Sequence, residues 1–443
     1  MKNILILPGE TLPDTPTSRR SFRVARLSRR VAGPLCAVAA AMLFGNALLA
    51  QQPKFDPTTF VVLGEGLAAG MADFSLVDVY QKSSFPAVMA AQMNTAMPIP
   101  LIQQPGIGNA PGFPAVPARL PGVLQGSVRE PFPPYLFVLN LSVPNFRLAD
   151  SLSVKPAAPL IQANNPQQTM VNMILGYPAL ITGPQANSPA IPLWSQSDYA
   201  VAMNPTLALV ELGYYDVLQA AIDNNPAELP ATAAFQTNYS ALLAKLYTVY
   251  PTIIASTIPD PFDTAYFTSL TSASRLLGAS SSTLQTLFDL KPGDYLTPNG
   301  LMAAGAQINV AGFAYQPLPA GSVVSAATAT AVHNAVTALN GAIAAAAKGS
   351  NASVYDLKSL LTKWRASGIT AGGNTLTADY LGGIYTLDGY YPGLTGHTAI
   401  ANDLLSFINT TYSTSYKLAD LNAAFAGDPA GRLRPAVKKR NLK

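Results

Sequence analysis

Two apolar runs with an amphipathic stretch between them restrict this chain more than any other feature. Leu207–Leu212 (LALVEL) and Thr252–Ile258 (TIIASTI) read as buried strands. Between them Phe235, Tyr239, Leu242, Leu243, Leu246 and Tyr250 keep the period of a helix with one apolar face. A strand, helix, strand order implies a right-handed crossover and therefore a parallel sheet. Such a sheet needs apolar cover on both faces, and with 49% hydrophobic and 11% charged residues the chain can supply it. Its 443 residues fit one α/β domain with long loops as well as two or three smaller domains.

More strand text flanks this unit. Phe60–Leu63 (FVVL) empties into Gly64-Glu65-Gly66 before the helix-compatible Leu67-Ala68-Ala69. In an open α/β sheet, ligands and catalytic groups collect beyond the carboxyl ends of the strands, and glycines let the backbone turn tightly there. FVVLGEGLAAG is thus either a plain strand-to-helix turn or one wall of a site with Glu65 at its tip. Tyr135–Leu141 (YLFVLNL) and Ser353–Leu357 (SVYDL) are the other strand candidates. From Met97 to Pro134 prolines recur every few residues, which suits neither a helix nor a central strand. Residues 97–134 are expected to be a surface excursion, either a cover over the site or a passive loop. Ser322–Lys348 is alanine-rich and helical in propensity, with His333 as a surface or packing residue. His397–Tyr412 places Ile400, Leu404, Leu405 and Ile408 on one face and reads as the closing helix.

The two ends differ from the middle. Residues 1–50 place Lys2 and six arginines ahead of an apolar run from Val31 to Ala50, the order of an export signal. Ser18-Arg19-Arg20-Ser21-Phe22 is close to a twin-arginine motif, so either export route is open, with an uncleaved anchor as the alternative because about twenty apolar residues span a bilayer. Cleavage would leave 51–427 as the folded domain, without stable membrane insertion, in the periplasm or outside the cell. The single cysteine, Cys36, lies in the leader, so the mature chain has no disulfide. Seven bases fall in 1–50 and six in the tail 428–443, so the body between them carries a net charge of −6 although the whole chain is +4. Nucleic acid is a poor partner for such a body. Two histidines and one cysteine that do not cluster imply neither metal nor cofactor.

Four strand ends, LGEGLAAG, NLSVPNFRLAD, ELGYYDVL and GGIYTLDGYYPGLTGHTAIAN, resemble in order and spacing the four blocks of the GDSL-type lipases and esterases, also called SGNH hydrolases. IPDPFD at Ile258–Asp263 and KPGDYLT at Lys291–Thr297 are similar to secreted bacterial members. The resemblance runs from Phe60 to about Tyr416, and it implies a three-layer α/β/α, flavodoxin-like core. It also matches Gly66 to the serine nucleophile, Asn145 to an oxyanion glycine, Tyr215 to an oxyanion asparagine, and Asp388 and Tyr391 to the aspartate and histidine of D-x-x-H-P. The residues that name the family are changed. Glycine has no side-chain oxygen to acylate, and a phenol with a reference pKa of about 10 is no general base at neutral pH. His397, six residues beyond Tyr391, is read as structural.

Two tyrosine pairs, Tyr214-Tyr215 and Tyr390-Tyr391, are expected to converge on this place beside Glu65 and Asp216. A flat ring with a polar tip suits a glycan or an acyl ligand, so a non-catalytic pseudo-hydrolase that binds such a molecule through Glu65, Tyr214, Asp216 and Tyr390 is the first expectation. The tyrosines also have the volume simply to fill the space left by the catalytic side chains. Two further readings are an active ester or glycoside hydrolase that uses Glu65, Asp216 and Asp388, and a structural envelope protein that kept the fold and lost the pocket.

Overall fold

The computed structural model describes residues 55–104, 106–108, 137–162, 164–176, 180, 192–308 and 315–432. The readings of 1–50, of 109–134 and of 433–443 lie outside these residues.

Four strands, β1 (Phe60–Gly64), β2 (Leu207–Glu211), β3 (Thr252–Ser256) and β4 (Ser353–Tyr355), lie parallel and side by side in that order. Every residue of β1 and β2 is buried, which is why these runs are continuously apolar rather than alternating. Glu211, at the end of β2, is the exception. Helices flank the sheet: α1 (Gly66–Ala69), α2 (Phe85–Met93), α3 (Tyr214–Ile222), α4 (Thr232–Tyr247), α5 (Ala326–Gly349) and α6 (Leu394–Tyr412). Helix α4 packs along α5, and α2 along α6. The expected α/β class with a parallel sheet is what the chain forms, and α4 is the crossover helix read between β2 and β3.

Tyr135–Leu141 is not the full strand expected. Its described part touches β1 through one parallel bridge at Asn140, with Val62 N–H donating to Leu139 O at 2.9 Å and Leu141 N–H to Val62 O at 2.9 Å. Backbone pairing continues past it, with Val143 N–H donating to Gly64 O at 3.1 Å, while the Asn140 side chain donates to Ala68 O at 2.9 Å and accepts from Ser142 N–H at 3.1 Å. With this segment counted beside β1, the strand order is flavodoxin-like.

Two small antiparallel sheets have no counterpart in the sequence reading. Thr268–Ser269, Tyr295–Leu296 and Val323–Val324 form one, and Ile369–Ala371 with Asn374–Leu376 form the other. The second turns at Gly372-Gly373, whose φ values of +55° and +73° are those of a type I′ hairpin. The start of the proline-rich stretch is packed rather than superficial: Ile102 and Ile107 are buried, and Asp78 N–H donates to Ile102 O at 2.7 Å. Among the described residues no helix is long and apolar enough to cross a membrane.

The fold also runs past residue 427. Helix Leu421–Gly427 packs on α6, and the short helix Pro429–Arg432 follows. Between them Asp428 is fully buried and caps α6, accepting from Thr395 N–H at 2.7 Å while its other oxygen accepts from Ala430 N–H at 3.0 Å. Gly393, at the cap position of α6, has no side chain to do this itself, and a Cβ there would stand 2.7 Å from the Asp428 carboxylate. Charge alone placed Asp428 with the tail, but packing makes it part of the domain. Asp428→Ala is expected to cost about 1–2 kcal/mol, the usual worth of a lost cap. A urea melt checks this, with Asp428→Asn retaining most of the stability.

Candidate functional site

The site is built where β1 and β2 end. Gly64 and Glu211 are paired in the ladder, so Glu65, one residue on, is set beside the Glu211 carboxyl, and its N–H donates to Glu211 Oε2 over a long 3.5 Å. Glu65 does not sit at an exposed tip. It turns inward and is fully buried, with Oε1 accepting from Leu67 N–H at 2.7 Å as the cap of α1. Its Oε2 accepts the Tyr391 hydroxyl at 2.6 Å.

Burial pushes the Glu65 carboxyl up to about 7, against the pull of these hydrogen bonds. The same cause, followed by the nearby charge of Glu65, raises Glu211 well above the ordinary range. Two buried acids one peptide unit apart cannot both ionise cheaply, so the pair holds protons near neutrality.

Tyr391 occupies the space above Gly66. A Cβ on Gly66 would lie 2.3 Å from the Tyr391 oxygen and 2.4 Å from Cζ, far inside contact distance. The phenol therefore stands where a side chain at the matched nucleophile position would go. Its ring is fully buried, edge-on to Tyr390 at 4.9 Å and to Tyr214 at 6.5 Å, and Tyr390 continues to Tyr266 at 5.6 Å. These rings pack on one another. Asp388 folds the turn that delivers them. It is fully buried, accepts from Tyr390 N–H at 3.1 Å and Tyr391 N–H at 2.9 Å, and takes the Thr386 hydroxyl at 2.8 Å. Burial raises its carboxyl to about 7.

The remaining matched residues are engaged elsewhere. Asn145 has φ of +63°, a left-handed conformation that glycine adopts freely and asparagine tolerates. Tyr215 is half-buried, and its hydroxyl donates to Gln219 Oε1 at 2.5 Å on its own helix, so it does not stand in for an amide donor. Asp216 is buried, accepts from Leu148 N–H at 2.8 Å and so ties the helix Leu148–Ser153 to α3; burial raises it to about 7. His397 packs against α2, with Nδ1 accepting from Phe85 N–H at 3.3 Å and the ring stacked 6.2 Å from Phe85. Burial drops its pKa to about 3, so it is neutral.

Glu65, Gly66, Tyr214, Tyr390, Tyr391 and Asp388 thus come together, while Asn145, Tyr215 and Asp216 keep separate partners. Glu211 is the member that sequence reasoning missed. The available signal was an acid at the end of an otherwise apolar buried strand, a place where glutamate is rarely found unpaired. Chemically the cluster can share protons, but no imidazole reaches it, since His333 and His397, the two histidines of the chain, are bonded elsewhere. Among the described residues no group of three His, Cys, Asp or Glu side chains is placed to hold a metal ion.

No family model matches this chain, and no curated protein matches it. Among solved structures it is similar to an α/β hydrolase enzyme from the metagenome of Lake Arreo, Spain, at 11% identity and a TM-score of 0.33, over 80% of this chain and 96% of that one. It is also similar to phospholipase A1 from Streptomyces albidoflavus, at 12% identity and a TM-score of 0.31, over 79% of this chain and 99% of that one. Likenesses this loose say nothing of the site.

Gly66→Ser alone should cost about 1–3 kcal/mol, because the new side chain meets a ring with nowhere to go. Adding Tyr391→Ala should make the serine nearly neutral relative to Tyr391→Ala alone, so a double-mutant cycle by urea unfolding should show strong coupling. The protein should also lose stability between about pH 4 and pH 7. Folding raises Glu65 from 4.5 to about 7, and Asp216 and Asp388 from 3.8 to about 7, so their contribution is complete below the unfolded values and is lost as pH rises through 7. His397, lowered from 6.5, works in the opposite direction but is one group against three. Melting temperatures across this range should fall with pH, and less steeply in Glu65→Gln.

Proposed function

We propose that this chain is an exported, catalytically silent relative of the SGNH (GDSL-type) hydrolases that has converted its active-site space into packed core and serves as a structural envelope protein. One observation carries the reading: Tyr391 fills the volume over Gly66 and binds Glu65, in the place where such hydrolases need a nucleophile and open space. Export to the periplasm or the outside rests on the arginine-rich and apolar order of residues 1–50.

Burial weighs against the ligand reading at this place. Glu65, Tyr214, Asp216 and Tyr390 are all buried, and Tyr215 alone keeps a partly exposed ring. A glycan or acyl chain would have to displace a packed tyrosine. The alternative of an active ester or glycoside hydrolase meets a similar obstacle, because Glu65, Asp216 and Asp388 are each spent on holding backbone amides.

Covalent labelling tests the proposal. The mature protein should take up no fluorophosphonate at any residue of the cleft, whereas Gly66→Ser combined with Tyr391→His, which restores hydroxyl and imidazole and removes the obstructing ring, should label slowly at position 66. Stoichiometric labelling of a wild-type cleft residue, mapped by peptide mass, would contradict it. Retention of a glycan or lipid by wild type and its loss in Tyr215→Ala would favour the binding reading instead.

A further inference from the structure

A second arrangement of titratable groups lies beyond the carboxyl end of β3. The loop Ile258-Pro259-Asp260-Pro261-Phe262-Asp263 leaves that strand, and its Asp260 is met by His333 from α5, 73 residues on. His333 Nδ1 is 2.6 Å from Asp260 Oδ2. The other Asp260 oxygen accepts from Phe262 N–H at 3.0 Å, inside a short 3₁₀ turn with a proline on either side of the aspartate. The carboxylate side chain is only 9% exposed and that of the histidine 44%, so the acid is buried while part of the imidazole side chain is accessible from solvent. Phe262 braces the imidazole edge-on at 5.2 Å.

A carboxylate on Nδ1 fixes the tautomer of a neutral imidazole, puts its lone pair on Nε2 and stabilises the imidazolium that forms when Nε2 takes a proton or an acyl group. A buried orienting acid, a half-exposed base and a rigid loop are what an acid–base centre requires of its supporting residues. The location, outside the carboxyl ends of parallel strands, is where α/β sheets carry chemistry. The charged neighbours are Asp260 and Asp263 from the loop and Lys358 from the helix Leu357–Ser367. Asp263 is itself occupied by the Thr362 hydroxyl at 2.6 Å. The hydrogen bond that the ring donates to Asp260 raises the His333 pKa above its ordinary value, against the opposing effect of burial.

We propose that His333, oriented by Asp260, is a second, surface-facing nucleophilic centre that takes acyl groups from small activated esters reaching it from solvent. Nε2 attacks the ester carbonyl carbon, the N–C bond forms, and the C–O bond to the leaving alkoxide or phenoxide breaks. Asp260 offsets the positive charge on the ring. Water then adds to the acyl carbon, the carboxylic acid leaves and Nε2 regains its lone pair, so the products are one acid and one alcohol with the protein unchanged. His333 is the catalytic residue and Asp260 a positioning residue. The inference is independent of the sealed cleft, because it uses neither Glu65 nor Tyr391.

The chain makes a clean test possible, since His397, the other histidine, is buried and neutral. Hydrolysis of p-nitrophenyl acetate by the full folded protein should exceed that by an equal concentration of N-acetylhistidine at least about tenfold, within the range that positioned acid–base groups supply. His333→Gln should remove the excess. Asp260→Asn should bring the rate down to that of the free amino acid and move the half-rise of the pH–rate profile back toward 6.5. The ring nitrogen shifts of His333 should report a proton on Nδ1 in wild type and a tautomer mixture in Asp260→Asn, a readout that stands even if His333→Gln folds poorly. Wild-type turnover no faster than N-acetylhistidine, or turnover that survives His333→Gln, overturns the proposal. A half-rise unmoved by Asp260→Asn does the same for the role of Asp260. Fluorophosphonate labelling in the cleft would bear on the sealed site and leave this result untouched.

Discussion

The contact on which the centre of this molecule depends is that between the Tyr391 phenol and the turn Glu65-Gly66. The ring needs a glycine beneath it, because any Cβ at 66 would enter the phenol, and its hydroxyl needs an acceptor, because an unpaired buried donor is costly. Glu65 is that acceptor, and it in turn is acceptable in the core only while its oxygens are hydrogen-bonded and a proton is within reach. The requirement spreads outward from there. Asp388 must hold the Tyr390 and Tyr391 amides to deliver the rings, and Asp428 must cap the helix that begins three residues past Tyr391.

Acidic side chains serve three purposes in this body. Asp216 and Asp428 fasten backbone amides across segments distant in sequence, and Asp388 fastens those of its own turn. Glu65 and Glu211 lie buried beside one another, where burial raises both carboxyls. Asp260 orients an imidazole that meets solvent. A hydrolase uses paired acids and bases in close succession around one substrate, whereas here these acids are distributed over several places in the fold.

The sheet was legible in the chain because strands buried on both faces have no polar alternation to obscure them, as in Phe60–Gly64 and Leu207–Glu211. Helix α4 was legible from its period for the same reason of one-sided burial. Tyr135–Leu141 reads as a full strand, whereas its described part meets β1 through a single bridge and a few backbone bonds. Which residues meet at the centre followed from their positions at strand ends, but not which way they face. Glu65 reads as the tip of a turn and its side chain is buried, and the tyrosines, which read either as a ligand platform or as filling, pack on one another. Glu211 was concealed by the strand that carries it. Asp260 and His333 lie too far apart in the chain for spacing to connect them, and the tail beyond residue 427 was judged by charge although a single buried aspartate binds its start to the fold.

The most direct test is to place a fluorotyrosine at position 391 of the folded protein and follow its fluorine resonance against pH and against a soluble paramagnetic chelate. A ring sealed over Gly66 should show no broadening by the chelate and no titration up to and above the ordinary phenol value of about 10, because burial raises the phenol well beyond it. A resonance that broadens with the chelate, or titrates near that ordinary value, would place the phenol in an open cleft and contradict the account.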